Sequence, residues 1–269
     1  MDVDLNPQIP RPTRDASGNA IWPPSGAHVG APRQVAPIPL VPIRFRHIAL
    51  LIVGGIIAGG VIALLVCVPI KGITHSKFLL SAILGICLYG SWIFGYHWLS
   101  REVQWIDLRA RFAPVGKKAL LISAIGGVGI VGLIAASAAL LQWAGIKMDH
   151  IPTPDVLPKN WRELPLAIFV IVIVGPIAEE LLFRGLLLDW LKQKMNVWVA
   201  AIILSVIFSL LHANAFSLGA VGWLAFGARL LLGLATSALA IKYRSLRPPF
   251  MMHATWNAIG CIASVLNVA

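Results

Sequence analysis

The sequence has very little charge for its length. Asp, Glu, Lys and Arg together make up 12% of the 269 residues, about half of the ~25% that is usual in soluble domains. Hydrophobic residues account for 58% of the chain, and the mean hydropathy is +0.82. This composition excludes a soluble enzyme and a disordered protein, and it indicates an integral membrane protein.

Cysteine and acidic residues are also scarce. The three cysteines, Cys67, Cys87 and Cys261, lie in apolar stretches, and their spacing fits neither a zinc site nor a disulfide framework. Eleven acidic residues oppose 22 basic ones. Because basic residues collect in the cytoplasmic loops of membrane proteins, this excess does not indicate a nucleic-acid partner, and none is predicted.

The long apolar stretches predict an all-α fold, a polytopic transmembrane helical bundle of about seven spans, or eight, within residues 44–269. The apolar segments lie at about 48–70, 78–99, 119–144, 164–188, 197–213, 218–241 and 248–268. With seven spans and a cytoplasmic N-terminus, about three times as many Lys and Arg residues lie on the cytoplasmic side as on the other. We therefore predict a cytoplasmic N-terminus and a bundle embedded in a lipid bilayer.

Residues 1–43 differ from the rest of the chain. They hold nine of the 18 prolines and show no hydrophobic periodicity. This composition predicts a disordered cytoplasmic tail.

Charged side chains within the apolar segments are the first functional signal. Glu179, Glu180, Arg184 and Arg229 lie there, and each charge at the bilayer centre is unfavourable by about 2.5–3.5 kcal/mol. Such groups must pair or line a wet cavity. Glu180 and Arg184 are i,i+4 neighbours that can form an ion pair, whereas Glu179 points about 100° away and can face another environment.

Two further polar pairs use helical spacing. Phe208 and His212 share one helix face, as do His253 and Asn257, and an imidazole beside a carboxamide can hold an oxyanion. Taken singly, each site is also explained as an ion cluster, a hydrogen-bonded core histidine or interhelical hydrogen bonding. Taken together, they predict a polar pocket in the membrane with the composition of a water-activating hydrolytic site.

The polar residues resemble, in the same order, the three motifs of the CPBP family of CAAX-processing and bacteriocin-processing intramembrane proteases, also called the Abi family. These motifs are Glu179-Glu180-x-x-x-Arg184, Phe208-x-x-x-His212 and His253-x-x-x-Asn257. The resemblance covers about residues 160–260. Arg229 departs from the family, which usually has a small or apolar residue there; it is expected to pair with a glutamate, reach the interface or line the pocket.

The resemblance implies an intramembrane endopeptidase that hydrolyses a peptide bond with an activated water. The implied catalytic residues are Glu179 as general base, His212 as its helper, and His253 and Asn257 as the oxyanion site. The implied supporting residues are Glu180, Arg184 and Phe208. The motif order favours Glu179 over Glu180 as the base; the reverse assignment predicts that Glu180→Gln is the more damaging change.

No cofactor is predicted, because no His lies within four residues of Glu179 or Glu180, as a metalloprotease HExxH motif requires. The alternative is a zinc ion held by Glu179, His212 and His253, since family members have been described both as metalloproteases and as metal-independent. The expected partner is a peptide or membrane-protein substrate. The short chain without eukaryotic targeting signals predicts a prokaryotic inner (plasma) membrane.

Three other functions stay open at this stage. A catalytically silent bacteriocin-immunity or membrane binding protein would keep the same residues, and Glu179→Gln would then spare its function. A proton-coupled transporter also uses intramembrane Glu, His and Arg, although no inverted repeat is evident. A haem site would use His97, His212 or His253.

The motif positions also present a problem of depth. His212 lies about 15 residues from the start of its predicted span and His253 about five from the start of its own, a difference of roughly 15 Å at 1.5 Å per residue. For both to reach one glutamate, a span must tilt, break or start elsewhere. We expect a different boundary near 242–250, or a helix that continues through 189–196.

Overall fold

The computed structural model describes residues 13–14, 20–21, 43–72, 74–102, 108–146, 156–212 and 219–268. The chain divides into two units, Met1–Pro39 and Leu40–Ala269. In the first unit, strands β1 (Thr13–Arg14) and β2 (Ala20–Ile21) pair in antiparallel fashion. The prediction of disorder for residues 1–43 otherwise falls outside the described residues.

The described part of the second unit is a bundle of eight helices. These are α1 (Phe45–Lys71), α2 (Lys77–Glu102), α3 (Leu108–Arg111), α4 (Lys117–Trp143), α5 (Leu164–Leu191), α6 (Val197–His212), α7 (Gly219–Tyr243) and α8 (Arg247–Val268). Each of the seven predicted apolar segments coincides with one helix over the residues that the structure describes. The predicted transmembrane helical bundle is therefore confirmed.

Five of these helices, α1, α2, α4, α5 and α7, are long and apolar enough to cross a membrane. Helix α6 has 16 residues and so extends about 24 Å, less than the ~30 Å of a hydrocarbon core. Helix α8 has 22 residues, but its polar and proline residues make it less apolar than the five. The chain is an integral membrane protein. Of its seven long helices, α6 is shorter than the five membrane-length helices, and α8 is more polar than they are.

Glycines set the distances between some of the helices. A Cβ atom at Gly55 would lie 2.1 Å from the ring of Trp92, and one at Gly59 would lie 2.8 Å from the Cα of Leu88. A Cβ atom at Gly127 would lie 2.7 Å from a backbone oxygen of α8. Glycine therefore permits the close backbone approach of α1 to α2 and of α4 to α8.

The connection between α7 and α8 is buried beneath the segment that follows α3. Ser245 and Leu246 are each 3% exposed. The Leu246 amide donates to the carbonyl oxygen of Arg111, and the Ser245 hydroxyl donates to that of Ala113, both at 2.8 Å. The middle of this connection is thus tied to the segment that follows α3, whereas Arg244 and Arg247 on either side of it are exposed.

The helix boundaries decide between the expected explanations of the depth problem. Helix α7 ends at Tyr243 and α8 begins at Arg247, close to the predicted boundaries, and α5 ends at Leu191 without continuing into α6. Both expected changes, near 242–250 and through 189–196, are therefore wrong. His212 and His253 nevertheless each lie 3.6 Å from a Glu179 oxygen, so the packing of the helices brings both to one glutamate without a changed boundary.

Candidate active site

The four residues predicted to be catalytic line one cavity. This cavity, of ≈ 590 Å³, lies among α2, α5, α6, α7 and α8. Glu179, His212, His253 and Asn257 all contribute to its wall. The structure therefore brings together side chains that are up to 78 positions apart in the sequence, which is what the predicted pocket requires.

Helix α5 changes its winding around the two glutamates. The stretches Ile168–Val174 and Leu181–Leu187 are π-helical, and the α-helical turn Gly175–Glu180 lies between them. π-Helical turns are rare and occur frequently at functional sites. The wider turns on both sides set the directions in which Glu179 and Glu180 point.

Asn257 compensates for a proline in this irregular helix. The Gly175 amide donates to the carbonyl oxygen of Val170, five residues earlier. In the same register the carbonyl of Ile171 would take the amide of residue 176, but Pro176 has no N–H. The Asn257 side chain supplies the donor instead, with Nδ2 2.8 Å from the Ile171 oxygen. Asn257 therefore ties α8 to α5 while its side chain lines the cavity.

Three side chains surround the Glu179 carboxylate, which is 7% exposed. The Tyr89 hydroxyl donates a hydrogen bond to Oε1 at 2.9 Å. His212 Nε2 lies 3.6 Å from Oε1, and His253 Nε2 lies 3.6 Å from Oε2. These separations exceed a direct hydrogen bond and fall in the range where a bridging water is considered.

The outer nitrogen of each imidazole has a partner that fixes the orientation of the ring. His212 Nδ1 lies 2.8 Å from the carbonyl oxygen of Phe208, and His253 Nδ1 lies 2.9 Å from Glu180 Oε1. A carbonyl or carboxylate oxygen accepts, so Nδ1–H is the donor in both contacts. In the neutral ring, each Nε2 then presents a lone pair to Glu179.

Glu180 lies in a separate, fully buried network. Its Oε1 is 3.3 Å from Arg184 Nη1 and 2.9 Å from His253 Nδ1, and the side chain is 0% exposed. The predicted ion pair with Arg184 is therefore present, and Arg184 Nη2 also donates to the carbonyl of Gly233 at 3.1 Å. Glu179 lines the cavity and Glu180 does not. This difference favours Glu179 as the residue that meets a substrate.

Phe208 packs against both imidazoles and the guanidinium group. Its ring centroid lies 4.5 Å from that of His212 and 5.8 Å from that of His253. The Cζ atom of Arg184 lies 5.0 Å from the same ring. One aromatic side chain thus holds the histidines apart and contributes a cation–π contact inside the bundle.

The structure also places Arg229 and His97 relative to this cavity. Arg229 lines the cavity, where its Nη1 donates to the carbonyl of Ala225 at 3.3 Å. Of the three expectations for Arg229, lining the pocket is the one that is found. His97 does not line this cavity, so the geometry gives no support to a haem site built from His97 with the other histidines.

Sequence reasoning missed Tyr89. This residue lies in α2, 90 positions before Glu179, and outside the part of the chain that carries the motifs. The available signal was a phenolic hydroxyl in an apolar span, because such a group needs a hydrogen-bond partner in the membrane. A Cβ atom at Gly175 would lie 3.2 Å from the Tyr89 ring, so glycine at that position permits the approach.

The chemistry of Glu179, His212 and His253 resembles that of zinc ligands. Both histidines have outer hydrogen-bond partners, as metal-bound histidines usually do. Zinc, however, needs its donors about 2.0–2.2 Å from one point. Among the described residues, no group of three or more His, Cys, Asp and Glu side chains is placed to hold a metal ion. The Nε2 atom of each histidine nevertheless lies 3.6 Å from a Glu179 oxygen, close to the spacing of two ligand atoms on one tetrahedral zinc ion. The zinc alternative therefore stays a prediction for experiment to decide.

Comparisons with known proteins agree with the geometry. Residues 161–259 match the sequence model of the Rce1-like family, described as type II CAAX prenyl endopeptidases. This match supports the resemblance to the CPBP family for this region of the chain. The region contains every motif residue identified above, whereas Tyr89 lies outside it.

Two bacterial proteins are similar to parts of this chain. An Escherichia coli protein named "Uncharacterized 24.3 kDa protein" is 26% identical over 138 residues, which are 50% of this chain and 61% of that protein. The "Putative membrane peptidase YdiL" of Bacillus subtilis (strain 168) is 47% identical over 53 residues, 20% of this chain and 22% of that protein. The matches thus span less than two thirds of either relative. No solved structure matches the chain.

Proposed function

We propose that this protein is an intramembrane endopeptidase that hydrolyses a peptide bond with a water activated by Glu179. The observation that carries the proposal is the placement of the Glu179 carboxylate on the cavity wall, with the Nε2 atoms of His212 and His253 each 3.6 Å from its oxygens. The family relationship supports a membrane protease at the level of the family.

In the proposed reaction, Glu179 accepts a proton from a water molecule, whose oxygen attacks the peptide carbonyl carbon. The C–N bond of the resulting tetrahedral intermediate breaks, and the leaving amine takes up the proton. His212 can carry this proton, because its Nε2 faces Glu179 and its side chain is 34% exposed. General acid–base catalysis of this kind contributes about 10²- to 10⁴-fold to the rate.

His253 and Asn257 would stabilise the oxyanion. Asn257 donates one N–H of its Nδ2 to Ile171, which leaves its second N–H for the substrate. His253 can donate from Nε2 only if both ring nitrogens carry protons or if Glu180 holds the proton between Nδ1 and Oε1. His253 lines the cavity with its Nε2 3.6 Å from Glu179 Oε2, and this position beside the proposed base supports the role.

The proposed substrate is a peptide or a segment of a membrane protein. The cavity has apolar walls that include Leu84, Leu88, Val170, Leu232 and Trp256, which suit apolar side chains. Both similar proteins are bacterial, which supports a location in the inner (plasma) membrane of a prokaryote. The cytoplasmic N-terminus follows from the distribution of basic loop residues.

The test is proteolysis by the purified full chain in liposomes, with a mixed peptide library that includes apolar membrane segments. Glu179→Gln keeps the shape of the side chain and removes the base, so we expect cleavage to fall by at least about 10²-fold. Glu163→Gln is the matched control, because Glu163 lies just before α5 and outside the cavity. A parallel arm contains a chelator.

Each result has a defined meaning. Cleavage that Glu179→Gln abolishes, and that the chelator and Glu163→Gln spare, supports the proposed metal-free reaction. Cleavage that the chelator also abolishes replaces it with a metal-dependent one. Absence of cleavage by folded wild-type protein across the library, or equal loss in both variants, contradicts the proposal.

A further inference from the structure

A second polar cavity shares none of its lining residues with the candidate active site and is not part of the proposed reaction. It has a volume of ≈ 430 Å³ and lies where α5 and α7 end and where α6 begins. Its charged lining residues are Arg111, Arg184, Asp189, Lys192 and Arg244. Four cations thus line the cavity; Arg184 is paired with Glu180 outside the lining, and among the described residues of the lining Asp189 is the one carboxylate that opposes the other three.

The carboxylate cannot neutralise this group. Asp189 forms ion pairs with both Arg111 and Lys192. Burial opposes the charge on Arg111, but Tyr96 and Asp189 outweigh it and raise the pKa of the guanidinium group. Arg244 is exposed and has no ion-pair partner among the described residues. The cavity therefore carries an excess of positive charge that an anion would balance.

Arg184 is the most deeply buried cation in the wall of this cavity, and both it and its partner Glu180 keep one buried polar atom, Nε and Oε2, without a partner among the described residues. This residue is 4% exposed. Its two terminal nitrogens contact Glu180 and the carbonyl of Gly233. A buried guanidinium N–H without an acceptor is energetically unfavourable, and this guanidinium belongs to a side chain that lines the cavity.

We propose that this cavity binds the phosphate group of an anionic phospholipid. Arginine is suited to phosphate, because its planar donors can bind two oxygens at once. The cavity lies at the ends of membrane-length helices, where lipid headgroups are present. Apolar residues that include Leu188, Val197 and Ile241 complete its wall and suit the part of the lipid next to the headgroup. A free phosphate ion shares the recognised chemistry and serves as the comparison.

The experiment measures lipid binding to the purified full chain in detergent by native mass spectrometry. Phosphatidylglycerol is compared with phosphatidylcholine, whose choline cation neutralises its phosphate. Arg244→Gln removes an exposed cation that lines the cavity and has no ion pair to break. Lys242→Gln is the matched control, because Lys242 is an exposed cation at the same end of α7 that does not line the cavity.

We expect wild type to bind phosphatidylglycerol in preference to phosphatidylcholine. Arg244→Gln should weaken this binding about fivefold, the effect of ~1 kcal/mol per basic residue near a lipid surface. Lys242→Gln should change it less than about twofold, as expected for a charge outside the cavity. A third arm compares the rise in Tm produced by phosphatidylglycerol with that produced by inorganic phosphate.

Preference for phosphatidylglycerol, loss in Arg244→Gln alone and a larger Tm rise with the lipid would support the proposal. Equal binding of the two lipids, or equal loss in the two variants, would overturn it. A rise in Tm as large with inorganic phosphate as with the lipid would overturn the assignment to a lipid. These readouts do not involve proteolysis, so they are independent of the proposed reaction.

Discussion

The central helix α5 and the outer helices α1 and α2 can all cross a membrane, but their surroundings are opposite. In the 18-residue apolar stretch of each helix, 61% of the residues of α5 are buried, whereas 22% are buried in α1 and 11% in α2. Hydropathy does not predict this order, since α1 has the highest value, 2.8, and α5 has 2.3. In a bilayer, lipid and protein interior are equally apolar, so hydrophobicity does not distinguish inside from outside. The intramembrane charges do, because they are tolerated only within the bundle.

The largest effect should come from the buried charges of α5. Arg184→Met leaves Glu180 without its ion-pair partner in a site that is 0% exposed. Removing one partner of a buried pair reduces the free energy of unfolding by about 3–5 kcal/mol. Unfolding in detergent, followed by circular dichroism, measures the change. Arg162→Met, at an exposed position just before α5, is the control. If the two variants have similar stability, burial of the charge has no energetic consequence, which contradicts the difference drawn between α5 and the exposed positions.

A pair of leucines sharpens the same comparison without charge. Leu186 in α5 is 0% exposed and Leu65 in α1 is 69% exposed. Leu186→Ala should lower the free energy of unfolding by about 2–5 kcal/mol because it leaves a cavity. Leu65→Ala, which faces lipid, should stay within about 0.5 kcal/mol of wild type. If the two changes have equal effects in the same unfolding assay, the burial difference between the helices has no energetic consequence.

Tyr89 tests whether an outer helix contributes to the site. Tyr89→Phe removes the hydrogen bond to Glu179 and keeps the ring. A hydrogen bond to a charged group is worth about 1.5–3 kcal/mol, so we expect cleavage to fall about tenfold to a hundredfold. The readout is the rate of peptide cleavage in liposomes, with Tyr243→Phe as the control. If Tyr89→Phe cleaves as fast as wild type, Tyr89 does not contribute to the reaction, and the active site lies within residues 161–259.

The smallest expected effect concerns Asn257 and the irregular turn of α5. Asn257→Ala leaves the carbonyl of Ile171 without its donor, and Pro176→Ala restores a backbone N–H that can replace it. The two changes should therefore couple by about 1 kcal/mol in a double-mutant cycle on unfolding. Additive effects would show that Asn257 does not act through Ile171.

Local sequence patterns predicted much of the fold. Runs of apolar residues located the seven long helices, because the backbone must satisfy its own hydrogen bonds in lipid. The i,i+4 spacing predicted the Glu180–Arg184 ion pair and the contact between Phe208 and His212, because both are set by the pitch of one helix. The proline at position 176 was visible, but its partner Asn257 follows 81 residues later and could not be paired with it from the sequence.

The sequence by itself determined the helices, the membrane environment, the resemblance to a protease family and the motif residues that line the cavity. Tertiary structure alone decided that Tyr89 reaches Glu179, that the connection before α8 is tied to the segment after α3, and that Glu179 faces a cavity while Glu180 is enclosed. The physical reason is the distance along the chain over which the deciding interactions act. Helix formation and i,i+4 contacts depend on neighbouring residues, whereas these features depend on how helices far apart in the chain pack together.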